Sequence, residues 1–292
     1  MNIIQIPGFS EPFSSISHLL GAVVFFIGMF FLIIKAKNNN ERLIALLLYS
    51  LSLIFLFSMS GVYHLLEPAL TPRYVLRHLD YAGIWILIAG SFIPMHMILF
   101  RGRKRWGILA PVLLVAIVGL TLQMIFFSTI PEWLSLMFFL SLGWMGVISM
   151  WMLKKFYSEL NYSFLILGGA AYSIGAVLEF VRWPVVVDGV IGPHEVFHVF
   201  VLMGAMSHWW FIHLVASHPT AKVLKVEIRK DLASGKFFAV GKNELISLAA
   251  STKSDLYKLI NEWVLDNYHP SMKPIKVVIN EVEILSLNVE NA

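Results

Sequence analysis

Pro193–Ala216 reads PHEVFHVFVLMGAMSHWWFIHLVA, 24 residues with a single carboxylate, Glu195, and no lysine or arginine. A bilayer core takes about 20 apolar residues as one helix, so the stretch predicts a transmembrane span. It also carries four histidines. Ionisable groups inside a span are costly, so each one needs a reason.

Six further runs meet the same length requirement. With the first they predict spans at 14–36, 43–66, 76–100, 107–128, 133–153, 161–183 and 193–216. Short polar separators divide them, and Val185 to Val187 blur the last boundary. Composition agrees: of 292 residues 58% are hydrophobic and 14% are charged, against roughly 25% charged in an ordinary soluble domain. Mean hydropathy is +0.75. The expected fold class is therefore an all-α membrane protein, a seven-transmembrane helix bundle. No cysteine is present, which excludes disulfides and thiolate chemistry. Met1 to Pro12 lack a basic segment and the run that follows is too long for a signal peptide, so the first span is expected to be retained.

The net charge of +4 and pI of 9.2 do not point to nucleic acid, because the basic residues cluster between apolar runs. Loops one, three and five hold nine of them: Lys35, Lys37, Arg42, Arg101, Arg103, Lys104, Arg105, Lys154 and Lys155. The other loops and the N-terminus hold three: Arg73, Arg77 and Arg182. Lysine and arginine accumulate on the cytoplasmic side. The expectation is a multi-pass cell-membrane protein with its N-terminus outside and its C-terminus cytoplasmic.

From Thr220 the pattern changes: residues 220–292 hold ten Lys or Arg and nine Asp or Glu, with no membrane-length run. Leu224, Val226 and Ile228 alternate with charged residues, a strand signal, and Ile275 to Leu285 reads as another strand. Leu256, Leu259, Ile260, Trp263 and Val264 recur at helical spacing after a cap at Ser254. The expected domains are 1–218, the seven-helix transmembrane domain, and 219–292, a small C-terminal soluble cytoplasmic α+β domain. This tail shows no catalytic or ligand motif and names no partner.

The chemistry collects at one end of the bundle. Helices alternate direction, so His18 on the first, His64 on the second, Asp80 on the third, and His194 and His198 on the seventh lie in one layer. His194 and His198 are spaced i, i+4, which sets two imidazoles on one helical face for a single metal ion. Zinc sites with an open position take three protein ligands, and His64 is the third candidate at that depth. Ser60 shares the face of His64. The Asp80 carboxylate could take the proton of a water in the fourth position. His208 lies about 15 Å along the helix from His198, so it is expected to hydrogen-bond between helices. Glu179 and Arg182, at i, i+3, are expected to pair.

These residues resemble a known family. Ser60-Gly-Val-Tyr-His64, Leu76-Arg-His-Leu-Asp80-Tyr-Ala-Gly-Ile84 continuing through Ile88-Ala-Gly-Ser-Phe-Ile-Pro94, and His194-Glu-Val-Phe-His198 look like the progestin and adipoQ receptor family, in its bacterial hemolysin III-like branch. Ser17-His18 fits as well. The resemblance covers about residues 10–216 and leaves the tail outside. It implies a seven-helix bundle with zinc (Zn2+) held by His64, His194 and His198, with Asp80 and Ser60 beside the metal. Glu195 ranks below Asp80 as a base, because that position is not acidic in every family member. The family is similar in plan to the alkaline ceramidases, which implies zinc-dependent hydrolysis of lipid amides. The orientation counted above is opposite to that of the animal adiponectin receptors.

The leading expectation is an integral membrane zinc hydrolase of lipid amide or ester bonds, ceramidase-like and tied to membrane lipid homeostasis. Its partners would be membrane lipids and a lipid substrate or ligand. A reading of another class is a seven-helix receptor or sensor in which zinc is structural. A third is a pore-forming hemolysin-like protein, against which stands the lack of a polar stripe to line a channel.

Overall fold

A computed structural model describes residues 4–36, 39–68, 70–218, 222–231, 234–241, 246–267 and 275–284. The expectations that rested on Lys37, Thr220 and Leu285 lie outside these residues. The chain divides into two units, Met1–His218 and Pro219–Ala292.

The first unit holds α1 (Pro12–Ile34), α2 (Asn40–Leu65), α3 (Thr71–Leu99), α4 (Gly102–Ile125), α5 (Glu132–Phe156), α6 (Ser163–Phe180) and α7 (Pro193–Val215). All seven are long and apolar enough to cross a membrane. Proline opens the first turn of α1, α3 and α7, where its missing N–H costs nothing. At α2 the Asn39 side chain caps the helix, accepting from the Arg42 N–H at 3.0 Å. Helix α2 packs between α1 and α3, α7 packs against α6 and α1, and α3 also touches α4, α5 and α7. In the most apolar stretch of α3, 67% of residues are buried, against 17% in α5, so α3 is the central helix and α5 faces mostly outward.

Small residues set the close approaches. A Cβ on Gly61 of α2 would lie 3.0 Å from the backbone nitrogen of Leu19 in α1, and one on Gly90 of α3 would lie 2.4 Å from the Ser52 hydroxyl of α2. Bundles in lipid gain their stability from such contacts, since apolar burial does not drive helices together there.

Several boundaries differ from the sequence reading, α4 for instance beginning at Gly102 and not at residue 107, and two of them bear on the site. Helix α3 begins at Thr71, not residue 76, because Pro72 starts the helix within the polar stretch. Helix α6 ends at Phe180, not residue 183. Arg182 turns into the left-handed region (φ 55°) and Pro184 follows, so the chain leaves the helix. Val187 then pairs with Ile191 in an isolated bridge.

The second unit holds β1 (Lys222–Asp231), β2 (Phe237–Gly241), β3 (Ser247–Ala250), α8 (Lys253–Asn267) and β4 (Ile275–Ile284). The sheet order is β3-β2-β1-β4. Strand β1 is antiparallel to β2, with Ile228 opposite Ala239, and parallel to β4, with Val226 opposite Ile279. Val226, Ile228, Ala239, Ile246, Leu256 and Ile260 form its core. The cap of α8 is Thr252, not Ser254: its hydroxyl accepts from the Asp255 N–H at 3.1 Å and donates to the Asp255 carboxylate at 2.6 Å. Ser254 is already inside the helix. Strands β2 and β3 were not read from the sequence.

Candidate metal centre

His64 is the second-last residue of α2, and His194 and His198 lie on the first two turns of α7. Because α2 ends where α7 begins, the three rings meet. Their centroids are 4.9 Å (His64–His194), 4.8 Å (His64–His198) and 4.5 Å (His194–His198) apart. One nitrogen from each lies within 4.8 Å of the others. His64 and His198 are 2% exposed while the His194 side chain is 37% exposed, so the cluster is reached from the His194 side.

The direction of the ring nitrogens decides what the cluster suits. His64 Nδ1 is bonded to a Glu11 carboxylate oxygen, and His194 Nδ1 lies 3.3 Å from Glu179 Oε1. A carboxylate only accepts, so each Nδ1 carries a proton, and in its neutral form each ring presents a lone pair at Nε2. Those two Nε2 atoms are 3.3 Å apart. Two facing lone pairs repel unless a proton or a metal ion lies between them. Tetrahedral bonds of about 2.0–2.1 Å to nitrogen give an N···N edge of about 3.3–3.4 Å, so the observed spacing fits one tetrahedral ion. Three imidazoles, two of them backed by carboxylates, form a donor set for a transition metal.

The remaining candidate residues surround this cluster. His18 stacks on His198, with centroids 3.7 Å apart and planes 9° apart, and meets the Phe57 edge at 4.9 Å. Both oxygens of the buried Glu195 are occupied. Oε1 accepts from the Ser14 hydroxyl at 2.9 Å and Oε2 from the Gly192 N–H at 3.0 Å, which ties α7 to α1 and caps α7. Asp80 does not open α3 as expected. With the helix starting at Thr71 it lies more than two turns in. There the groups acting on it are His64, Ser60, His194 and Arg77, and Ser60 is buried. His208 stands apart, its Nε2 3.4 Å from the Leu165 carbonyl of α6, as an interhelical hydrogen bond requires. The expected Glu179–Arg182 pair is present.

Two residues at this site were missed. Glu11 bridges His64 and Arg73, whose guanidinium lies 2.5 Å from Glu11 Oε1, while its own N–H donates to the His64 carbonyl at 3.0 Å. Burial pushes the Glu11 carboxyl up, but His64 and Arg73 outweigh it and hold it down at about 2, so it is ionised at neutral pH. Arg73 is itself buried and also donates to the Leu66 carbonyl. The available signal was an acid just before the first apolar run, at the layer that holds every other site residue.

Seven membrane-length helices and a three-histidine cluster with two buried members, able to hold a metal ion where α2 ends and α7 begins, define a multi-pass membrane protein with a candidate metal centre. The haemolysin-III related family matches residues 9–209, and the chain belongs to that family. The chain is 28% identical to "Hemolysin-3" of Bacillus cereus over 217 residues, 72% of this chain and 93% of that protein. It is 27% identical to "Hemolysin-3 homolog" of Bacillus subtilis (strain 168) over 204 residues, covering 69% and 92%. Similarity extends to "Heptahelical transmembrane protein 1" of Arabidopsis thaliana, 29% identical over 149 residues, covering 46% and 45%.

Proposed function

We propose that this protein is a zinc-dependent hydrolase embedded in the membrane, cleaving an amide or ester bond of a lipid. The observation that carries the reading is the pair of Nε2 atoms of His64 and His194, 3.3 Å apart and each backed by a carboxylate, with His198 completing the set. Three histidines with one side open are the ligand number of catalytic zinc sites; closed structural sites use four.

A cavity of about 520 Å³ supports a lipid substrate. It is bounded by Leu56, Ile84, Phe197, Val201 and, at its far end, His208. Ile84 is one turn from Asp80 and Phe197 adjoins His198. From Phe197 to His208 the wall of α7 runs about 16 Å, room for much of an acyl chain lying along the helix. The volume falls in the usual ligand-pocket range of roughly 300–1,000 Å³.

Bound zinc would supply Lewis-acid chemistry, polarising the scissile carbonyl and making water acidic enough to attack near neutral pH. The protein's residues do the rest. Carboxylate oxygens of Asp80 accept the proton of the attacking water and return it to the leaving nitrogen or oxygen, giving a fatty acid and an amine or alcohol. The Ser60 hydroxyl orients Asp80 or the substrate carbonyl. Glu195, bonded to Ser14 and Gly192, holds the start of α7 and therefore His194 and His198. The lysine and arginine distribution supports an N-terminus and a site at the outer face, with residues 219–292 in the cytoplasm.

Asp80→Asn tests the reading, since it keeps shape and removes basicity. The expected outcome is full zinc content and an unchanged melting temperature, with hydrolysis of ceramides, phospholipids and related lipids reduced about 10²–10⁴-fold. Zinc-loaded wild-type protein that cleaves nothing on this panel would overturn the hydrolase in favour of a sensor. Wild-type rates in Asp80→Asn would remove Asp80 from the mechanism.

A further inference from the structure

The three histidines account for the ligands of the candidate metal centre, but not for how two of them are held. Behind His64 stands Glu11, and behind Glu11 stands Arg73. Behind His194 stands Glu179, and behind Glu179 stands Arg182. Each chain of contacts runs arginine, carboxylate, Nδ1, and leaves Nε2 facing the shared centre.

We propose that Glu11 and Glu179 are positioning residues for the metal, each fixing the tautomer and direction of one ligand imidazole from behind, and that Arg73 and Arg182 hold the two carboxylates in place. The inference rests on the reading that a metal binds among His64, His194 and His198.

Nothing in an α-helix ties these groups together by default. Glu11 lies before α1, and it reaches His64 because its own N–H and that of Ser10 bond the carbonyls of His64 and Leu65, at 3.0 and 3.1 Å, at the end of α2. The N-terminal segment is thus laced to the end of the helix that carries the ligand. Arg73 crosses from α3 and is buried, donating to the Leu66 carbonyl as well as to Glu11. On the other side, Arg182 takes up the left-handed conformation just past α6. Its guanidinium meets Glu179 and also grips Glu132 at 2.7 and 2.9 Å, so α5 braces the relay from outside. Among the described residues no carboxylate stands behind His198; the ring of His18 lies flat against it at 3.7 Å. Two ligands are therefore oriented by carboxylates, and the third by the His18 ring and the Ser14 backbone.

A carboxylate on the rear nitrogen of a ligand histidine makes the front nitrogen a stronger donor and stops the ring from turning. Loss of such a partner commonly weakens metal binding by about 10–100-fold. A carboxylate that served only to join the N-terminal segment to the bundle would affect folding and leave metal affinity alone.

The test uses the full-length protein in detergent, stripped of metal, with zinc affinity measured by competition against a chromogenic chelator. Melting temperature is measured with and without zinc. Glu11→Ala and Glu179→Ala are expected to bind zinc about 10–100-fold more weakly than wild type while melting close to wild type in the metal-free state. Glu11→Gln, which keeps an acceptor oxygen but no charge, is expected to fall between. It also supplies the measurement should the alanine variant not fold. Glu41→Ala, at the opposite end of the bundle, is expected to keep wild-type affinity. Wild-type affinity in the Glu11 and Glu179 variants would overturn the proposal, as would a lowered metal-free melting temperature with affinity unchanged. Wild-type protein that binds no zinc would instead overturn the three-histidine reading.

Discussion

At the scale of single residues, the candidate site was legible where chemistry and depth coincided. The i, i+4 spacing of His194 and His198, and the placing of His64 at the same end of the bundle, follow from helix periodicity and alternating helix direction. The residues behind them were not legible. Glu11 precedes the first apolar run and looks like loop, while Glu179 was read only as the partner of Arg182, although it also reaches His194. A contact between residues 53 apart, such as Glu11 with His64, leaves no periodic trace in the chain. Purified wild-type protein is expected to contain close to one zinc per chain by elemental analysis, and His198→Ala sharply less. Unchanged zinc in His64→Ala, His194→Ala and His198→Ala together would discard the site. Zinc at a hundred times its dissociation constant should add about 2.7 kcal/mol to stability, a rise in melting temperature that a chelator reverses and that His198→Ala lacks.

At the scale of elements, the seven apolar runs were found because length and hydropathy alone decide a span. Their ends were found less well, since a proline or an arginine can extend or close a helix within polar sequence, as Pro72 and Arg182 do here. In the second unit β1, α8 and β4 carried clear periodicity. Strands β2 (FFAVG) and β3 (SLAA) are short and their residues do not alternate in polarity, so pairing of β2 with β1 and of β3 with β2 defines them. Packing between helices makes its own prediction at this scale. A Cβ on Gly61 would meet Leu19 Cγ at 2.7 Å as well as the Leu19 backbone, whereas one on Gly107 in α4 meets nothing within 4 Å. Gly61→Ala should therefore destabilise the bundle by about 1–3 kcal/mol through overpacking. Gly107→Ala should be neutral or stabilise by up to about 1 kcal/mol through helix propensity. Thermal unfolding of the two variants in one detergent checks the contrast, and equal melting temperatures would refute it.

At the scale of the whole molecule, the charges read as topology also have structural partners, and the partners explain the exceptions. Three arginines sit on the side that the lysine and arginine count places outside, and each has a partner there. Arg73 holds Glu11, Arg182 holds Glu179 and Glu132, and Arg77 lies over the Phe127 ring at 5.4 Å. They are retained at that face by the site and its surroundings, so they do not weaken the nine-to-three bias. At the opposite face Lys35 donates to the His213 carbonyl at 3.0 Å, Arg42 to the His218 carbonyl at 2.9 Å, and Arg105 to Glu41 at 2.9 Å. These residues close the helix ends at the face that the lysine and arginine count assigns to the cytoplasm. The chain lacks cysteine, so single cysteines report topology without background. Ser10 is buried and would label poorly from either side, whereas Asp188 in the loop before α7 and Ser234 in the second unit are both exposed. On intact cells a membrane-impermeant maleimide should label Asp188→Cys and spare Ser234→Cys until the membrane is permeabilised. Labelling of Ser234→Cys alone on intact cells would invert the orientation and place the candidate metal centre at the cytoplasmic face.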